Sequence, residues 1–252
     1  MAELSGKIIL MTGASRGIGR VAFEQAIAAG ADVILHYGTS HDRAAELAAA
    51  AGPERCLALS ADLAQPDEVT RLWDAALAWK GRIDVLVNNA AVYEHADVDW
   101  GLDQWRASWA RTLQINLQAP ADLCRAAIHH FRGQGGGIIV NVTSRGAYRG
   151  ELAEYSHYSA SKGALGSLTR TIARAFAKDG VLAYAVSPGW TATDMAIKGA
   201  PPEVLEAAKT DIPLGEITPP EDVAEVITFL SSGRARHATG NTIDVTGGSY
   251  MR

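Results

Sequence analysis

The sequence predicts an α/β fold: one parallel sheet of about seven strands with helices on both faces. Three observations carry this reading. Short runs rich in Ile and Val alternate with longer helical stretches along all 252 residues, and such alternation means parallel strands joined by crossover helices. Each apolar run is too short for an ordinary helix and reads as a strand buried on both faces. No linker, low-complexity tract or longer repeat interrupts the pattern, so residues 1–252 read as a single domain.

The predicted strands are residues 7–12, 32–37, 55–60, 83–88, 137–143, 181–187 and 242–245. The predicted helices are 17–29, 41–50, 66–79, 102–131, 153–178 and 220–231. Pro66-Asp67-Glu68 and Pro220-Glu221-Asp222 put proline in a first turn, followed by acids that suit the positive end of the helix dipole. Gly30, Gly52, Gly81 and Gly180 close four helices. Residues 189–218 lack a strong period and hold three of the nine prolines. They read as a partly helical excursion near the strand ends, where ligands bind in such sheets and where it would cover a substrate.

Composition excludes several classes. Lys and Arg number 23 against 28 acids, a net charge of −5, which argues against broad nucleic-acid binding. Cys56 and Cys124 are the only cysteines, and no Cys/His spacing suits a metal. A reducing compartment fits. A strand begins at residue 7 and no run of 18 apolar residues appears, so neither a leader nor a membrane span is expected and the cytoplasm is the natural address.

The segment Thr12-Gly13-Ala14-Ser15-Arg16-Gly17-Ile18-Gly19 follows the first strand and opens the first helix. Gly13 permits a tight turn, Gly17 lets backbone approach a pyrophosphate, and Gly19 lets helix pack on strand. The helix N-terminus then offers free N–H groups to the phosphates. The spacing G-x-x-x-G-x-G differs from the standard dinucleotide fingerprint, and a glycine turn without ligand is the alternative. No G-x-x-x-x-G-K-[ST] sequence is present, which disfavours a P-loop NTPase. The second strand ends His36-Tyr37-Gly38-Thr39-Ser40 with no acid to bind a ribose 2′-hydroxyl. Arg16, with Tyr37, Thr39 and Ser40, suits a 2′-phosphate. NADP(H) is therefore expected over NAD(H), unless Arg16 is merely solvated and Asp42 serves the ribose.

Tyr158 is the only one of seven tyrosines with a lysine four residues on, Lys162, so the two share one helix face. The nearby ammonium is expected to lower the phenol pKa, fitting Tyr158 for acid–base work. Ser144 ends the fifth strand, where its hydroxyl would polarise a carbonyl beside Tyr158. It reads equally as a turn serine without that pair. Asn116 lies within the predicted helix 102–131, where a buried amide is costly unless bonded. It is either a satisfied core group or the anchor of a water that relays protons to Lys162.

These motifs together resemble the short-chain dehydrogenase/reductase family, whose fold is a Rossmann-type doubly wound sheet of about this size. The resemblance spans essentially the whole chain. The glycine loop matches, as do Asp62-Leu63 after the third strand, Asn88-Asn89-Ala90 after the fourth, and Pro188-Gly189 followed by Thr191 and Thr193. Ala238-Thr239-Gly240 with Gly247-Gly248 resembles the closing strand. Asn116, Ser144, Tyr158 and Lys162 match the family's catalytic tetrad in order. The resemblance implies hydride transfer between nicotinamide and a carbonyl or alcohol of a small molecule. It further implies that Tyr158 moves the oxygen's proton, that Lys162 binds the nicotinamide ribose, and that Ser144 fixes the substrate oxygen. It gives Asp62, Leu63, Asn89 and Ala90 contacts to the cofactor, with Pro188, Gly189, Thr191 and Thr193 at its amide and pyrophosphate. A homotetramer is implied as well.

Three details depart from the family pattern. Ala91 stands in place of glycine, Thr246 in place of an acid, and the 14-residue interval from Ser144 to Tyr158 is one longer than in many relatives. That loop carries Arg145, Tyr148, Arg149, Glu151 and Tyr155 and is expected to shape the pocket. The chain is similar to 3-oxoacyl-acyl-carrier-protein reductases, but Asp179 and Gly135-Gly136-Gly137 stand at frequently basic positions, leaving Arg125, Arg132 and Arg174 to meet an acidic carrier. A free small molecule is the first expectation, and a dinucleotide-binding regulatory protein is the rival of another class. Trp105 and Trp109 read as either a helix–helix interface or core packing, and His129-His130 as surface residues. Trp190, Met195 and Ile197 read as substrate-lid contacts or loop packing.

Overall fold

The structure, a computed structural model, describes residues 3–197 and 201–251. Residues 198–200 of the predicted excursion lie outside them. The seven expected strands are β1 (Ile8–Met11), β2 (Asp32–Tyr37), β3 (Cys56–Ser60), β4 (Val85–Asn88), β5 (Gly137–Val142), β6 (Val181–Pro188) and β7 (Thr242–Val245). They form one sheet in the order β3-β2-β1-β4-β5-β6-β7. Every pairing is parallel. The fold class is thus the doubly wound Rossmann type read from the alternation of elements.

The helices in chain order are α1 (Gly17–Ala28), α2 (His41–Ala51), α3 (Pro66–Lys80), α4 (Leu102–Leu113), α5 (Ala119–Gln134), α6 (Gly146–Arg149), α7 (Ser156–Phe176), α8 (Asp194–Ile197), α9 (Pro202–Asp211) and α10 (Pro220–Ser231). α1, α2 and α10 cover one face, where Phe23, Ala44 and Ile227 meet Val33, Val85 and Tyr184 from the sheet. α3, α5 and α7 cover the other, where Trp73, Phe131 and Ile172 meet Leu10, Leu86 and Ile139. Strand side chains alternate between these two cores, so central strands need apolar residues at nearly every position.

The expected single helix over 102–131 is interrupted. Residues Gln114–Gln118 form a π turn between α4 and α5. Pro120, on the first turn of α5, has no amide hydrogen to close an α turn onto residue 116, and a π turn is one way a helix absorbs such a misfit. Asn116 sits inside it. Cys56 and Cys124 are buried free thiols. No helix among the described residues is long and apolar enough to cross a membrane. His130, expected at the surface, is half-buried: it accepts the Ile83 amide hydrogen at 3.1 Å and packs edge-on against Trp73. Trp105 and Trp109, both half-buried on α4, pack on each other at 4.9 Å, and Trp109 reaches His157 on α7.

The sheet order places the strand reversal between β1 and β4, and the chain closes tightly there. A Cβ on Gly19 would stand 2.2 Å from the Gly13 carbonyl oxygen. Gly133, on the solvent side of α5, has nothing within 4 Å of such an atom. Gly19→Ala is therefore expected to destabilise the protein by about 1–3 kcal/mol through overpacking, while Gly133→Ala stabilises it by up to about 1 kcal/mol through helix propensity. Urea denaturation of the two variants checks the opposite signs.

Candidate active site

The loop between β1 and α1 is held by its neighbours. Asn89 donates both side-chain hydrogens, to the Thr12 and Gly13 carbonyls, each at 3.0 Å. Thr12 Oγ1 accepts the amides of Asn89 and Ala90 at 3.0 and 3.1 Å. Gly13 turns with φ +65°, a value that favours glycine, and a Cβ there would stand 2.8 Å from Ala90 Cα. Its amide donates to His36 Nδ1 at 3.1 Å. That bond makes Nδ1 an acceptor, so Nε2 carries the hydrogen and donates to the Ala61 carbonyl at 3.0 Å. Burial lowers the His36 pKa, consistent with a neutral ring. The loop is thereby fixed with the amide-bearing N-terminus of α1 facing outward.

A crevice of about 410 Å³ opens at the carboxyl ends of the strands. Gly13, Ser15, Arg16, Gly17, Ile18 and Gly19 line it from the glycine loop, and Thr39 and Ser40 from the end of β2. Asp62, Leu63, Asn89 and Ala90 line it after β3 and β4, and Pro188, Gly189, Thr191 and Thr193 after β6. Ser144, Tyr158 and Lys162 line it as well. Two expected residues do not. Tyr37 packs in the core beside Ala44, with its hydroxyl 2.9 Å from His41 Nδ1. Strand alternation turns adjacent side chains to opposite faces, so His36 takes the crevice wall instead. Its period-two position was the signal for it. Asn116 is fully buried, and its amide clasps the backbone of Val92, accepting N–H and donating to C=O at 2.9 Å each. It also donates to Ser161 Oγ at 3.3 Å. The side chain is a satisfied core group that fixes the segment after β4.

Tyr158 and Lys162 both face the crevice from α7, and Ser144 lines it with them. Ser144 Oγ accepts the Gly146 amide at 3.1 Å. Lys162 donates to the Val142 carbonyl at 2.8 Å and stands 5.9 Å from the Tyr158 ring centroid. The expected acidic phenol is not found. Burial pushes Tyr158 up to about 12, the nearby Ser144 hydroxyl opposes the rise, and Glu151 adds to it. Burial also draws Lys162 down to about 8. Desolvation disfavours both charges and outweighs the attraction that the i, i+4 spacing suggested.

The longer loop after Ser144 is tied to the excursion. Arg145 is buried, its amide donates to the Pro188 carbonyl at 2.9 Å, and its guanidinium meets Asp211 of α9 at 3.3 Å. Arg149 pairs with the same carboxylate, and Arg145 also donates to Ser249. Trp190 and Met195 reach the crevice wall, while Ile197 is not among its lining residues. Glu151 and Tyr93 complete the wall beside Tyr158. No group of three or more His, Cys, Asp or Glu is placed to hold a metal ion among the described residues.

Comparison with known proteins agrees with this geometry. A family model described as enoyl-(acyl carrier protein) reductase matches residues 13–250. The chain is 34% identical to 3beta-hydroxysteroid dehydrogenase 1 of Eggerthella lenta, over 99% of this chain and 95% of that protein. It is 35% identical to a 3-oxoacyl-[acyl-carrier-protein] reductase of Synechocystis, over the full length of both. A short chain dehydrogenase from Burkholderia cenocepacia, solved in complex with NADP, superposes with a TM-score of 0.89 at 32% identity, covering 98% of this chain and 99% of that one. With a parallel sheet of that order and a crevice joining the glycine loop to a serine, a tyrosine and a lysine, the chain belongs to the short-chain dehydrogenase/reductase family of nicotinamide-dependent oxidoreductases.

Proposed function

We propose that the protein is an NADP(H)-dependent oxidoreductase acting on a carbonyl or secondary alcohol of a free small molecule. The carrying observation is one crevice lined both by a glycine-rich helix N-terminus and by Ser144, Tyr158 and Lys162. The residues fit a dinucleotide: Gly13 and Gly19 let the loop pack so closely on the segment after β4 that a Cβ at either would clash with Ala90, Asn89 or the loop backbone, and free amides at a helix start suit phosphates. When bound, the nicotinamide ring supplies or accepts the hydride.

The chain's own groups do the rest. Ser144 holds the substrate oxygen, and Tyr158 gives or takes its proton. A phenol held near 12 carries its proton at neutral pH, the form that a carbonyl reduction requires. Lys162, fixed by the Val142 carbonyl, presents a positive charge beside the phenol and a donor to the ribose. Arg16 and the hydroxyls of Thr39 and Ser40 take the 2′-phosphate; Ser40, at the N-cap of α2, makes no capping bond that would occupy its oxygen. The described parts of the excursion, residues 189–197 and 201–218, cover the substrate, with Trp190 and Met195 on the crevice wall. A carrier-bound acyl substrate is the second reading, favoured by the Synechocystis relative. It is weakened because Arg132 is paired with Asp179 at 3.1 Å and so offers less to an acidic partner.

Three outcomes are expected. Tyr158→Phe retains NADPH binding by fluorescence titration but loses turnover by a factor of about 10²–10⁴; a near-normal rate refutes the proton role. Wild type binds NADPH more tightly than NADH, and Arg16→Leu narrows that gap by about tenfold or more, whereas tighter NADH binding overturns the preference. In the protein without dinucleotide, Lys162 is depressed from 10.5 to about 8, so the unfolded chain binds more protons between these values. The stability of wild type relative to Lys162→Met should therefore rise with pH from about 8 to 10.5, by about 1–3 kcal/mol in denaturant titrations.

A further inference from the structure

Arg145 follows the serine that lines the crevice, and it is largely out of water, 8% exposed. A buried guanidinium is costly unless its charge and its hydrogens are met. The way this one is met joins segments that are distant in the chain. Its amide donates to the Pro188 carbonyl at the end of β6, at 2.9 Å. Its stem lies along Gly189, where a Cβ would stand 3.6 Å from Arg145 Cδ and 3.1 Å from Thr246 Cα. Its head donates to Asp211, the last residue of α9, at 3.3 Å, and to Ser249 in the segment after β7. Ser249 is held in turn, its hydroxyl donating to the Thr246 carbonyl at 2.8 Å.

The segment after β7 and the end of the excursion also meet directly. Leu214 N–H donates to the Gly247 carbonyl at 3.2 Å, and a Cβ on Gly247 would stand 2.5 Å from Ile212 Cγ2. Tyr250 stacks on Tyr148 of α6, with ring centroids 6.0 Å apart. A helix carries partial negative charge at its C-terminus, so Asp211 at the end of α9 draws both Arg145 and Arg149. The two cations are not equivalent. The Arg149 side chain is 42% exposed, and an ion pair so open to water contributes little. Arg145 is the one whose charge would be stranded if α9 lifted away, which favours the closed arrangement.

We propose that Arg145 is a positioning residue for the reaction. Its side chain clasps the end of α9 and the segment after β7 onto the loop that carries Ser144, so that covering the crevice and placing the serine hydroxyl happen together. This rests on the oxidoreductase reading above and adds to it a residue that acts through Ser144. The dinucleotide frame does not depend on the clasp, because its bonds run among Thr12, Gly13, His36 and Asn89. Loss of the clasp therefore shows in turnover rather than in NADPH affinity.

The test compares wild type with Arg145→Met, which keeps a stem against Gly189, and with Arg145→Lys, Arg149→Met, Asp211→Ala and the double variant Arg145→Met/Asp211→Ala. NADPH is titrated by fluorescence. The values of kcat and KM are measured on the carbonyl that wild type reduces fastest in a panel of cyclic and aryl ketones, β-keto esters, aldehydes and aldoses. Arg145→Met is expected to lower kcat by about ten- to a hundredfold, the cost of a reacting geometry displaced by about 1 Å, with NADPH affinity within about threefold of wild type. Arg145→Lys recovers part of that loss, and Arg149→Met changes kcat by less than about threefold. The double variant is slower than the slower single one by less than about threefold, because both substitutions open the same clasp. Amide hydrogen exchange supplies a readout independent of turnover: in Arg145→Met, residues 203–214 and 246–250 exchange faster by about tenfold or more while β5 is unchanged. If Arg145→Met does not fold, Asp211→Ala, at an exposed position, carries the same comparisons. Retained kcat, losses that multiply in the double variant, or unchanged exchange in the two segments overturns the proposal and leaves the redox reading intact. A fall in NADPH affinity that matches the fall in kcat overturns it in favour of a general loosening. If wild type turns over nothing in the panel with NADPH or NADH, the redox reading fails and the positioning role falls with it.

Discussion

An amine held out of water at the end of β5 governs what this crevice can do. Lys162 is 2% exposed and bound to the Val142 carbonyl, and burial draws its pKa down to about 8 in the free protein. The same burial keeps the proton on Tyr158. Neither group therefore carries full charge at little cost. Phosphates and a substrate oxygen entering the crevice bring the partners that change this balance, because a charge in a low-dielectric site gains most from a nearby opposite charge or donor. On the proposed reading, the acid–base action of the tyrosine belongs to the filled crevice, and the empty one keeps the proton on the phenol.

The two halves of the site rest on different supports. The dinucleotide half is built from strand ends: β1 supplies Thr12 and Gly13, β2 supplies His36, and β4 supplies Asn89, all linked by hydrogen bonds of 3.0–3.1 Å. Such a frame has little freedom because each strand is fixed by its neighbours in the sheet. The substrate half is built from the loop after Ser144 and the excursion after β6, joined by Arg145 and Arg149 on Asp211. Loops on a rigid scaffold vary with little effect on the fold, which explains how relatives named for a steroid and for a carrier-bound acyl group share about a third of this sequence.

That division also decides what was legible in the sequence. The strands were legible because a strand buried on both faces must be a short apolar run, and the glycine loop because no side chain fits at Gly13 or Gly19. Tyr37 was misplaced because a residue-type argument ignored the two-residue period that turns His36 toward the crevice. The break at the end of α4 was missed although Pro120 marks it. The phenol pKa was read with the wrong sign because the i, i+4 spacing reports proximity but says nothing of desolvation, which depends on elements brought together from across the chain.

Asn116 shows how the halves are joined. It stands in the π turn that Pro120 favours, and its amide grips both backbone groups of Val92. Val92 immediately precedes Tyr93, whose ring packs on Tyr155 and edge-on to Tyr158. The same amide reaches Ser161, whose hydroxyl donates to the Tyr158 carbonyl at 2.6 Å. One buried side chain therefore sets the segment after β4, the aromatic wall of the substrate half and the first turn of α7 together. A regular α-helix at this point would turn the amide by roughly one residue's rotation of 100° and break that clasp. The irregularity is what brings the tyrosine face and the dinucleotide frame into one register.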